Sequence, residues 1–164
     1  MARCVNAVLW VAVCSVGVTP ATRGEPPAKP KAKIEFRWLA AEPVPGVTAE
    51  KGIAWREGAA PLYPYLKPVL TNADVAGATL RVYDFSASGL GEQYEVEFRL
   101  TDAARKKLIE GAGDQRSRIL AIFVDGRNWG TRHFQKDEPA RFLPTVGFIS
   151  SKAEAEQIVE ACKK

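Results

Sequence analysis

The sequence is poor in the residues that build reactive centres. Its 164 residues contain one histidine, His133, one methionine and three cysteines. A single imidazole, with no paired Cys or His spacing, excludes the usual metal-ligand sets. Cys4 and Cys14 fall within the first two dozen residues, so Cys162 stands alone in the remainder and no intramolecular disulfide can form there. Long apolar runs are also missing. The stretch Ala7–Val18 is broken by Ser15 and Gly17 and falls short of the roughly 20 residues that a membrane-spanning helix needs. No later stretch comes closer.

The beginning of the chain nevertheless has a recognisable pattern. Arg3 precedes the Ala7–Val18 run, and Thr19-Pro20-Ala21 follows it with small residues at the positions a signal peptidase inspects. Residues 1–21 are therefore expected to be a signal peptide, with the mature chain starting at Thr22 in the periplasm or at the cell exterior. The alternative is a lipid anchor on Cys14, for which Val13 is a poor fit where a small residue is wanted. Setting residues 1–24 aside removes Arg3 and Arg23 and no acid, so 23 basic residues fall by two against 19 acidic ones. The net charge drops to about +2, which is no nucleic-acid signature. Residues 22–33, rich in Pro and Lys, have little to bury and read as a linker.

A folded α+β domain is expected over 34–162. Ile34–Leu39 alternates apolar and charged residues as a strand, and residues 40–61 form a long loop broken by Pro43, Pro45, Gly46, Gly52 and Gly58. Leu62–Leu70 is apolar, but Pro64 and Pro68 confine it to a sheet edge. Thr71–Asp74 resembles the entry to a short helical turn near residue 73. Ala78–Phe85 and Gln93–Leu100 read as strands joined by a Gly-containing turn, the second with Tyr94, Val96, Phe98 and Leu100 on its buried face. A helix is predicted from Thr101 to about Glu110, ended by Gly111 and Gly113. Arg118–Val124 is apolar on both faces, as a central strand is. Asp125-Gly126 signals a tight turn that returns Arg127 onward antiparallel, into sequence that does not look like regular sheet. A last helix opens at Ser150 or Ser151, with Ala155, Ile158, Val159 and Cys162 on one buried stripe. The simplest assembly is a largely antiparallel sheet with two main helices on one face.

Catalytic constellations are weak. Ser86 or Ser88 with His133 and Asp125 would make a triad on paper, but no nucleophile-elbow motif accompanies them. Gly89-Leu90-Gly91 lacks the remaining glycine and the helix of a phosphate loop. No cofactor is implied.

The order of motifs is informative. Val96-Glu-Phe-Arg-Leu-Thr-Asp-Ala-Ala-Arg-Lys-Lys-Leu108 is followed by Leu120-Ala-Ile-Phe-Val-Asp-Gly126, Thr145-Val-Gly-Phe-Ile-Ser150 and the helix around Ala155. With Ile34-Glu-Phe-Arg37 and Pro68-Val-Leu-Thr71 upstream, this succession resembles the head of the first periplasmic domain of the SecD family, from about Ile34 to Cys162. The resemblance implies a freestanding, noncatalytic head-like module, with extended polypeptide or an envelope export component as its expected partner. The family's transmembrane part and base subdomain have no counterpart in these residues, so no motor role is expected. The family's Ala-Pro segment after Asp-Gly is replaced by Asn128–Phe134. Here Arg127, Trp129, Arg132 and Phe134 form an Arg/aromatic group of the kind enriched where proteins meet. The same residue types also suit a loop in which Trp129 and Phe134 cover the sheet. A small secreted enzyme built on His133 and a scaffold domain without ligand are the other readings.

Overall fold

A computed structural model describes residues 31–54 and 58–163, with the backbone but not the side chain of Ser117. The expected signal peptide, its cleavage site, Cys14 and linker residues 22–30 lie outside the described residues, as does Trp55.

The chain opens with β1 (Ile34–Ala40), which places Ile34, Phe36 and Trp38 in the core. β2 (Tyr63–Pro64) and β3 (Leu70–Thr71) share its outer edge as two short segments. That is the arrangement expected where prolines withhold ladder donors. Asn72–Asp74 forms a single 3-10 turn, and the Asp74 carboxylate accepts a bond from the Thr71 N–H at 3.0 Å. β4 (Val75–Phe85) and β5 (Gly91–Leu100) make a long antiparallel hairpin. α1 (Asp102–Ala112) starts where Thr101 Oγ1 accepts from the Ala104 N–H at 3.0 Å. β6 (Ser117–Val124) and β7 (Arg127–Gln135) flank a turn in which Asp125 and Gly126 have φ of 50° and 78°. Two-residue hairpin turns require such positive angles to match strand twist. Finally β8 (Thr145–Ile149) leads into α2 (Lys152–Ala161), capped by Ser151.

The α+β class and the antiparallel pairing agree with expectation, but the strands divide between two sheets. β6 lies between β1 and β7 in the larger one, and β4, β5 and β8 form the smaller one in that order. One core joins them: Phe36 of β1 meets Phe98 of β5 edge-on at 5.6 Å. α2 lays Ala155, Ile158 and Ala161 against the smaller sheet, and α1 contributes Ala104, Leu108 and Ala112. Two local expectations need correction. The segment from Arg127 to Gln135 is a paired strand and not irregular sequence, because it faces β6 along its whole length with one bulge near Trp129. Helix α1 also runs through Gly111 and ends at Gly113, whose φ is 57°.

Candidate functional site

The register of β7 decides what its side chains can do. Arg132 lies opposite Leu120 and Phe134 opposite Arg118, so both point to the core side of the larger sheet. Phe134 is 0% exposed, between Trp38 at 5.7 Å and Phe142 at 5.2 Å. It belongs to the core, and its expected place on a contact surface is corrected accordingly. Arg132 is half-buried, and its Nε donates to Thr145 Oγ1 at 2.8 Å while Nη1 donates to the Thr131 carbonyl. Burial pushes its guanidinium pKa down, against the opposing charge of Glu95. Arg127 and Trp129 lie at the other end of the strand. The Arg127 guanidinium sits 5.1 Å over the Trp129 ring, and both line a groove of about 250 Å³ beside Glu154 and Gln157 of α2. The structure thus brings Arg127 and Trp129 together and separates them from Arg132 and Phe134. His133 faces outward on β7, and Ser86 donates its hydroxyl to Asp84.

A different surface stands out on the smaller sheet. Tyr83 and Phe85 are two residues apart on β4, so they share a face and stack at 6.3 Å and 29°. Gln93 and Glu95 on β5 and Gly147 and Phe148 on β8 complete a slot of about 190 Å³. Between the pairs Tyr94–Ile149 and Val96–Val146, the two residues Gly147 and Phe148 oppose the single residue Glu95. This is a β-bulge, which bends a strand and re-aims its side chains. Phe148 has φ of 57° and is 84% exposed. A bulky residue held at positive φ costs on the order of 1–3 kcal/mol, and burial of this ring does not offset that cost.

The electrostatics of the slot are uneven. Tyr83 Oη donates to Glu95 Oε1 at 3.2 Å. Arg81, directly opposite Glu95 in register, pairs with Glu97 at 2.5 Å instead. Among the described residues no lysine or arginine makes an ion pair with Glu95. β4 is also the edge of its sheet, with no described strand on its outer side, and its distal half from Arg81 to Asp84 is exposed. These residues are weakly marked in the sequence, because the alternation of β5 announces only its buried face. The available signals were the glycine inside Thr145–Ile149, a mark of a bulge or close approach, and the Tyr83/Phe85 alternation.

No family model matches the chain, and no curated protein matches it in sequence. Among solved structures it is similar to SecDF, a membrane component that enhances protein export, at 22% identity and a TM-score of 0.50. That similarity covers 80% of this chain and 62% of the other, so this chain spans about three fifths of the SecDF chain it matches. SecDF in its super-membrane-facing form is similar over 80% of this chain and 18% of the other, at 23% identity and a TM-score of 0.49. At this identity the first likeness is one of fold. The chain has the fold of a SecD-like periplasmic domain.

Proposed function

We propose that this protein is a noncatalytic module of the cell envelope that holds extended polypeptide by adding it as a strand along β4. The observation that carries this reading is the open outer edge of an 11-residue strand. Such an edge offers a row of backbone donors and acceptors to any extended chain, largely independent of sequence. The SecD-like fold suits a role beside exported chains, and Arg127 with Trp129 supplies a second contact surface on the groove beside α2. Affinity should be about micromolar or weaker, because an unfolded partner loses conformational entropy on docking.

The test is binding of blocked extended peptides to the full chain, compared with the same peptides N-methylated at alternate amides. Strand addition predicts saturable binding that N-methylation abolishes. Binding indifferent to N-methylation would place the contact in side chains alone. It should then depend on Trp129→Ala with Arg127→Ala. No binding by any peptide overturns the polypeptide-holding reading.

A further inference from the structure

We infer that the slot between Tyr83, Phe85 and Phe148 receives the cationic side chain of a lysine or arginine carried by the polypeptide lying along β4. The inference rests on the strand-addition reading and names the chemistry that reading leaves open. Three observations converge on it. Aromatic rings from β4 and from the β8 bulge wall the slot, and ring faces attract a cation. The Glu95 carboxylate lies among its lining residues with Tyr83 Oη as hydrogen-bond donor and no lysine or arginine as ion partner among the described residues. Gly147, which faces Glu95, has no side chain to fill the space, and a Cβ there would stand 3.6 Å from Glu95 Oε2.

An apolar occupant would strip water from that carboxylate and return nothing to it, which disfavours a leucine or phenylalanine in the slot. A lysine or arginine meets both requirements at once, with its stem against the rings and its head on the carboxylate. The reach is adequate. A strand added outside β4 lies two strand spacings from β5, about 10 Å, which an extended lysine and Glu95 together span. The Glu95 charge acts on both Arg81 and Arg132, but neither forms an ion pair with it among the described residues. Arg81 is engaged by Glu97, and the Arg132 guanidinium is tied to Thr145. Phe148, re-aimed by the bulge and exposed, would be partly covered by a side chain lodged in the slot.

The experiment uses the full chain and blocked peptides of Ser, Thr and Val about ten residues long, near the length of β4. One central position is lysine, or norleucine as its uncharged isostere. Binding is read by fluorescence polarisation. The lysine peptide should bind about tenfold tighter at low salt, and both Glu95→Gln and Phe148→Ala should erase that preference without abolishing norleucine-peptide binding. Phe148 is exposed, so its replacement tests the slot even if Glu95→Gln disturbs folding. Equal binding of the two peptides, or a preference that survives Glu95→Gln, overturns the inference and leaves strand addition standing. If no peptide binds, strand addition fails and n-butylammonium decides the slot separately. Saturable shifts of the Tyr83, Phe85 and Phe148 ring resonances would support it, and their absence would overturn it.

Discussion

Cys162 shows how one atom's surroundings set its chemistry. Its side chain lies on the inner stripe of the last helix, buried at the end of α2, with Sγ 3.4 Å from the Ile158 carbonyl. Burial pushes its thiol from 9.0 up to about 11. The thiolate that would react is therefore scarce in the folded state at neutral pH. Thiol reagents at pH 8 should label the native protein far more slowly than the denatured one, and quick native labelling would mean that α2 does not pack as described. The same shift carries a stability consequence with a definite sign. Between pH 9 and about 11 the unfolded chain loses this proton and the folded chain keeps it, so stability falls as pH rises through that window. Cys162→Ala should remove this part of the alkaline loss and cost only about 1 kcal/mol at neutral pH, near the small end of core truncations. Such a stripe is legible from spacing alone, because a helical period fixes which side chains share a face.

Helix α1 shows what spacing does not give. Its N-terminus was readable, since Thr101 before an amphipathic run is a capping signal and its Oγ1 does cap the helix. Its C-terminus is not marked in the same way. Gly111 looks like a stop, yet it lies within the helix, and a Cβ there would come 2.7 Å from Trp38 Nε1 and 3.5 Å from Val69 Cγ2. The glycine is present to let a helix approach the edge of β1, a tertiary requirement that no local pattern announces. Gly111→Ala therefore sets two effects against each other. Alanine gains about 1 kcal/mol of helix propensity, while overpacking against a buried indole costs typically 1–3 kcal/mol. The close approach should win, with net destabilisation of about 1 kcal/mol in urea unfolding. A stabilised variant would show that Trp38 yields freely. Strand β7 was obscured for a related reason. Gly130 and the bulge beside Trp129 break its alternation, so the Asp125-Gly126 turn and the antiparallel return after it are legible while the regular pairing of the whole segment is not. The candidate site suffered most. Only the buried face of a strand is marked by its pattern, and the slot lies on the other face, completed by the pairing of the β4–β5 hairpin with β8, which is distant in sequence.

At the scale of the whole molecule, the question is whether two sheets behave as one cooperative unit. The motif order pointed to a SecD-like fold, but partner choice between strands is a non-local property, and a single sheet was the simpler guess. The division into two sheets places unusual weight on the contact that joins them. Phe36 and Phe98 are both fully buried, they come from different sheets, and they meet edge-on with centroids 5.6 Å apart. Replacing either with alanine should cost about 3–5 kcal/mol, the usual range for a buried phenylalanine. In a double-mutant cycle the pair should show a coupling of about 0.5–1.5 kcal/mol from the aromatic contact itself. If the sheets fold as one unit, tryptophan fluorescence should report the same unfolding midpoint as far-UV circular dichroism. The fluorescence includes Trp38 on the larger sheet, and the dichroism follows both sheets. Phe98→Ala, on the smaller sheet, should then move both midpoints together. A variant in which the dichroism splits into two transitions while the fluorescence midpoint stays put would mean that the smaller sheet opens on its own. The open edge of β4 would then be a locally unstable hairpin and not a rigid template for an incoming strand, and binding by strand addition would lose its structural basis.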